Sequence, residues 1–235
     1  MYSISFGKLF LDIITRNVDI YAPREQCIKV IQNVSCILSE QTKKKPSTAN
    51  KFKAISIGCR DARMAYSIFK IFQDIKNVSI AFKKYNMIKL NFGNLVLSLF
   101  EIAVPASHFI YEIYENAFYF ANKGVFNQKK VNRYSDIYGA LWTLNILIVV
   151  GQGIYQLKQF KDSKDTQSDK LQKKIIYIDI ISKVFDIPNA FGGSGIPLYL
   201  TGKTFCDTTI GIGSGIAASL SLWNYRLNEK QNKKV

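Results

Sequence analysis

Lys53, Arg60, Arg63 and Lys70 recur at helical spacing within the stretch Lys51 to Asp74, KFKAISIGCRDARMAYSIFKIFQD. Four cations on one side of a helix, with Ser56 and Ser67 between them, form a face suited to anionic phosphate groups, whether of lipid or of nucleic acid. The opposite side is apolar. Phe52, Ile55, Cys59, Ala62, Tyr66 and Phe69 follow at spacings of three and four, and Ile57, Met64, Ile68, Ile71 and Ile75 widen the stripe. Such a helix can lie in a membrane surface, apolar side down and cations level with the headgroups, or it can pack on a protein core. Periodicity alone leaves both readings open.

Other residue types that could do chemistry lack the companions they need. The four cysteines, Cys27, Cys36, Cys59 and Cys206, form no CxxC pair, and the only histidine is His108, so no zinc-site spacing exists. They read as reduced thiols in apolar settings. Thr201 to Thr204 spells TGKT, but a phosphate loop needs a glycine five residues before Gly202, where Pro197 stands. Gly211, Gly213 and Gly215 miss the dinucleotide spacing, and Glu112, Glu115 and Asp186 read as lone acids with structural roles. No nucleophile, base and orienter fall together, so the expectation is a protein that is not an enzyme, with no catalytic residues, cofactor or metal.

Composition narrows the partner. The 235 residues carry 32 Lys and Arg against 17 Asp and Glu, a net charge of +15, yet 48% are hydrophobic, with 13 Tyr and 16 Phe. A basic disordered tail would not hold so much apolar material. Nucleic acid and an anionic membrane both suit a basic protein, and long uncharged runs favour the membrane over nucleic acid. The N-terminus, MYSISFGKLFLDIITRN, does not read as a cleaved signal or a transit peptide, and the C-terminal NKKV is not a peroxisomal matrix address of the SKL type.

These residues must be positioned by helices. Phe6, Leu9, Phe10, Ile13, Ile14 and Val18 predict a short amphipathic helix over residues 3 to 20. Ile28, Ile31, Val34, Ile37 and Leu38 predict another from Arg24 to Glu40. Gln41 to Asn50, with three lysines and Pro46, reads as an exposed linker before the cationic helix. Leu90 to Phe109 is mostly apolar, interrupted by Glu101 and Pro105, and reads equally as a membrane or a buried helix. Ile137 to Leu157 holds 21 residues without a formal charge, about 30 Å of helix, and is the best spanning candidate. Lys158 to Lys174 reads as a charged loop, Ile175 to Phe185 as a short helix, and Asp186 to Gly202 as a turn. In the last apolar segment, Thr208 to Trp223, Gly211, Gly215 and Ser219 stand every fourth residue, a helix-packing face in preference to a ligand loop.

The fold class read from this pattern is all-α: a membrane-associated protein with amphipathic N-terminal helices and two or three hydrophobic membrane helices. It divides into an amphipathic region (1–89), a membrane-embedded region (90–225) and a basic tail (226–235).

Several stretches, in order, resemble the peroxin-11 family of peroxisomal membrane proteins. Arg24, Glu25, Gln26, Lys29, Gln32 and Asn33 look like its early signature with several replacements, and Ser56, Cys59, Arg60 and Arg63 like its second, with Cys59 standing where an arginine is usual. Glu115, Asn116, Lys123 and Gly124 are similar to its Tyr-rich segment, Arg133 and Trp142 to the start of its leucine run, and Asp186 with Pro188 to its Asp-x-Pro element. The resemblance implies a peroxisomal membrane protein that remodels and elongates the membrane through amphipathic-helix insertion. It also implies self-association as a homo-oligomer and recruitment of dynamin-type fission machinery, promoting peroxisome fission and proliferation. On that reading Phe52, Lys53, Ile55, Cys59, Arg60, Arg63, Tyr66, Phe69 and Lys70 meet an anionic lipid membrane. Two further readings stay open: a small-metabolite pore, and a non-catalytic structural subunit of a mitochondrial membrane complex.

Overall fold

In the computed structural model of the chain, the described residues are 23–87, 92–160, 167–195, 197, 199 and 206–232. The helix expected over residues 3 to 20 lies outside them, as do TGKT and the end of the basic tail. Among the described residues there is no strand. The helices are α1 (23–41), α2 (Pro46–Met87), α3 (Phe92–Asn122), α4 (Val131–Gln159), α5 (Gln167–Gly193) and α6 (Asp207–Asn232), with a 3₁₀ turn, Gln128–Lys130, ahead of α4.

Several boundaries differ from the sequence reading because proline stands inside helices. The linker shrinks to 42–45, since Pro46 opens α2 at a first-turn position that needs no N–H. Pro105 lies within α3, and Pro188 within α5, which runs on to Gly193 where a turn was expected from Asp186. In an apolar membrane-spanning helix such as the α3 stretch, proline is tolerated where neighbouring groups satisfy the carbonyl it frees. The charged loop also shortens, with α4 reaching Gln159 and α5 starting at Gln167. At the end of α3, Gly124 (φ 78°) allows the left-handed stop: Val125 N–H donates to the Phe120 carbonyl at 2.9 Å and Gly124 N–H to that of Ala121 at 3.1 Å.

From α2 to α6 each helix packs antiparallel on the next. Asp61 pairs with Lys123 at 2.5 Å and Asp74 with His108 at 2.7 Å, registering α2 on α3. Asn145 on Ser107 (2.9 Å) and Tyr138 on Glu115 (3.1 Å) register α4 on α3. Ser182 bonds the Ala217 carbonyl at 2.9 Å between α5 and α6. α1 closes the bundle, reaching α2 through Gln32 and Arg63, α5 through Lys29 and Asp186, and α6 through Ile37 and Gly211.

The distribution of polarity is inverted relative to a protein folded in water. Buried side chains include Lys29, Asn33, Ser67, Asp74, Glu112, Glu115, Asn116, Asn145 and Asp186, while Phe69, Phe82, Leu99, Leu147, Ile181 and Trp223 are exposed. Two helical stretches are long and apolar enough to cross a bilayer, Leu95–Asn122 and Gln128–Gln159, and only 11% and 22% of an apolar 18-residue window in each is buried. A soluble core helix would be mostly buried, and the exposure of these two fits membrane-spanning helices.

Small residues let the helices approach within this arrangement. A Cβ on Gly213 would stand 2.7 Å from the Phe185 carbonyl oxygen, a backbone atom that cannot turn aside, whereas one on Gly58 would meet nothing within 4 Å. Gly213→Ala is expected to lower bundle stability by about 1–3 kcal/mol through overpacking. Gly58→Ala should leave it unchanged or raise it by up to about 1 kcal/mol. Thermal unfolding of both variants in detergent micelles distinguishes the two.

Candidate functional site: an inward polar network and an outward apolar face

α2 carries the residues singled out from the sequence, and its two faces point in directions that periodicity could not assign. Ile55, Tyr66 and Phe69 are exposed, joined by Ile57, Phe72, Ile75, Ile80 and Phe82, so most of the apolar stripe faces outward along the helix, while Met64 is buried and Ile68 and Ile71 are half-buried. Phe52, Cys59 and Arg60 are half-buried and Lys53 is exposed. Arg63 and Lys70, read from the sequence as level with lipid headgroups, are instead turned into the bundle. Lys70 Nζ lies 2.7 Å from Glu25 and 3.9 Å from Glu112, and Arg63 donates to Gln32 Oε1 at 2.9 Å with Glu25 at 3.8 Å. Inside the bundle the two cations are stabilised by the Glu25 and Glu112 carboxylates and by the Gln32 amide oxygen.

Those contacts belong to one network with members on every helix. Lys29 on α1 donates to Asp186 Oδ2 on α5 at 2.6 Å and sits over the Trp142 ring of α4, 5.6 Å from its centroid. Ser214 on α6 donates to the other Asp186 oxygen at 3.1 Å, and Asn189 donates to Ser214 at 3.0 Å. On α3, His108 Nδ1 lies 2.7 Å from Asp74 and Nε2 lies 3.0 Å from the Tyr111 hydroxyl, which donates to Glu112 at 3.2 Å. Ser67 donates to Asn116 at 3.3 Å, and Asn116 bonds the Glu112 carbonyl at 2.8 Å. Glu112, Glu115 and Asp186 are therefore not lone acids. The i, i+4 spacing of His108 and Glu112 was the available sequence signal for the first. For Lys29 and Asp186, 157 residues apart, the only hint was a lysine inside the apolar series of α1.

Gly211 and Gly215 face α1. A Cβ on Gly211 would lie 3.0 Å from Ile37, and one on Gly215 would lie 3.7 Å from Asn33. Together with Ser219, whose hydroxyl bonds its own helix at the Gly215 carbonyl, they floor a groove of about 460 Å³ between α1 and α6. The α5–α6 contact uses the other side of α6, where Gly213, Ser214, Ala217 and Ala218 are buried. The thiols are free, and Cys27 and Cys206 are exposed rather than in the apolar settings expected. A hydrogen bond with Thr209, at 2.9 Å, holds the Cys206 thiol below its ordinary pKa. Among the described residues no group of three or more His, Cys, Asp or Glu could hold a metal ion.

Breaking one side of the buried Lys29–Asp186 pair leaves a charge with no water to solvate it. Asp186→Leu is expected to cost about 3–5 kcal/mol of stability. The double variant Lys29→Met with Asp186→Leu, which removes both charges, should recover most of that loss when unfolding is followed in micelles.

No curated protein and no solved structure matches the chain. The family model described as Peroxisomal biogenesis factor 11 (PEX11) matches residues 11–225, a span that holds every residue of the network and both membrane stretches. The chain therefore belongs to the peroxisomal biogenesis factor 11 family, membrane proteins of peroxisome proliferation and division.

Proposed function

We propose that the chain elongates and remodels the peroxisomal membrane ahead of fission by pressing the outward apolar face of α2 into one leaflet. The observation that carries this reading is the outward stripe from Ile55 to Phe82, on a helix whose cations Arg63 and Lys70 are engaged inside. α2 is about 63 Å long by its 42 residues, twice the roughly 30 Å hydrocarbon layer. Its register on α3, fixed by Asp61 and Lys123, leaves the first turns of α2 projecting beyond the end of α3. That projecting part exposes Ile55 and Ile57 beside Lys51 and Lys53, the pairing of apolar and cationic groups that suits an anionic headgroup layer.

Magnitudes support insertion. Each large apolar side chain contributes roughly 1.5–3 kcal/mol when fully buried, so a half-exposed stripe of this length is worth on the order of 5–10 kcal/mol. Each lysine near anionic lipid adds about 1 kcal/mol. Self-association as a homo-oligomer would multiply the wedge, and recruitment of dynamin-type machinery would complete division; both follow from the family resemblance. The division into an N-terminal amphipathic region and a membrane-embedded region is part of the same proposal, with α1 and α2 also packed against the embedded helices.

The polar interior is also what a small-metabolite pore would use. Remodelling is the better reading because most of the network is bonded side chain to side chain, with Arg63 Nε and Glu112 Oε2 the members left without a hydrogen-bond partner. The cavity between Arg63, Glu115, Tyr138 and Trp142 measures only about 140 Å³.

Ile55→Asp with Ile57→Asp tests the wedge in the full chain. Both residues are exposed, at 47% and 41%, so thermal unfolding in micelles should be unchanged. Tubulation of anionic liposomes by the reconstituted variant should be lost. Undiminished tubulation would refute the role of this face.

A further inference from the structure

We infer that the groove between α1 and α6 holds one acyl chain of a membrane phospholipid, with Asn33 donating a hydrogen bond to its ester carbonyl. The inference rests on the membrane embedding argued above and not on remodelling. The groove is lined by Val34 and Ile37 on α1 and by Gly215, Ile216, Ser219 and Trp223 on α6. Its one amide is Asn33, 6% exposed, whose Nδ2 has no hydrogen-bond partner. A buried donor left unpaired is costly, and an occupant of the groove that Asn33 lines can supply the acceptor. In an apolar groove on the outer surface of a membrane bundle, an ester carbonyl is an acceptor that arrives attached to an apolar chain.

Length and position agree with that occupant. From Gly211 to Trp223, α6 runs about 18 Å, close to the roughly 15 Å of hydrocarbon that one leaflet provides. Asn33 stands beside Gly211 and Gly215, one turn in from the Ile37 end of the groove, where the carbonyl of a chain lying along it would fall. The tail then passes Ile216 and Ser219 toward Trp223.

The test uses the full chain in phosphatidylcholine nanodiscs containing a trace of phosphatidylcholine with a diazirine in one acyl chain. Irradiation and peptide mapping are followed by native mass spectrometry after transfer to detergent. The wild type should label in the groove and retain one phospholipid per protomer. Ser219→Phe, which fills the groove from an exposed position, should cut groove labelling and retention at least tenfold, and Asn33→Leu should lower retention. Labelling around the outward Leu147 of α4 should stay constant in every variant. Groove labelling no stronger than at Leu147, equal retention in Ser219→Phe, or a cross-link joining two copies through α6 with no lipid bound would overturn the inference. Absence of labelling at Leu147 as well would instead overturn the membrane embedding. Unchanged unfolding of Ser219→Phe confirms that its effect is local, and Ile216→Trp fills the same groove as a second variant.

Discussion

The pairing of charge inside the bundle is the constraint on which the rest of the structure depends. Hydrocarbon around α3 and α4 cannot solvate an ion, so each cation that α1 and α2 carry toward them must meet an acid from a neighbouring helix. Lys29 meets Asp186, Lys70 meets Glu25 and Glu112, and Arg63 meets Glu25. These pairs set which side of each helix faces in. They also fix where α1 sits, since its acid and its lysine bind different neighbours, α2 on one side and α5 on the other. Buried ion pairs are weak sources of net stability but strict about geometry, because any arrangement that separates the partners strands a charge. The network therefore specifies the fold more than it strengthens it.

With polar groups committed inward, the outer surface is left apolar, and the functional features follow. The stripe on α2 and the groove beside α6 are both parts of that surface. In this reading the membrane is a component of the structure and not only its location. Helix contacts that water would have driven by apolar burial depend instead on close approach at small residues, as where Gly213 meets the Phe185 carbonyl.

Much of this was legible in the residues. Helix periodicity located α1 and α2, and the uncharged run from Ile137 marked α4. The small-residue spacing from Gly211 marked a side of α6, which the structure turns toward α1. The direction of each amphipathic face was not legible, because a period of 3.6 distinguishes two sides without saying which medium each meets. In water Phe69 would be the buried side and Lys70 the solvated one; in a bilayer the assignment reverses, and it does so here. Prolines misled for a related reason. Pro188 reads as a stop in a soluble sequence, yet α5 continues through it. Pairings across the chain, such as Lys29 with Asp186, carry no local pattern at all. The stretches that resemble the family nonetheless converge on them: Glu25, Lys29, Arg63, Glu115, Trp142 and Asp186 come from distant segments and meet in one interior.

The central claim, that the apolar faces meet lipid while the charges face one another, is tested most directly by spin-label accessibility in bilayers. With Cys27, Cys36, Cys59 and Cys206 replaced by serine, single labels at Phe69, Leu99, Leu147 and Val184 are each compared for collisions with oxygen and with a water-soluble nickel chelate. All four positions are predicted to favour oxygen strongly, as lipid-facing sites do. Labels at Phe69 and Val184 that favour the nickel chelate would show these helices facing water, and the inverted arrangement would be contradicted.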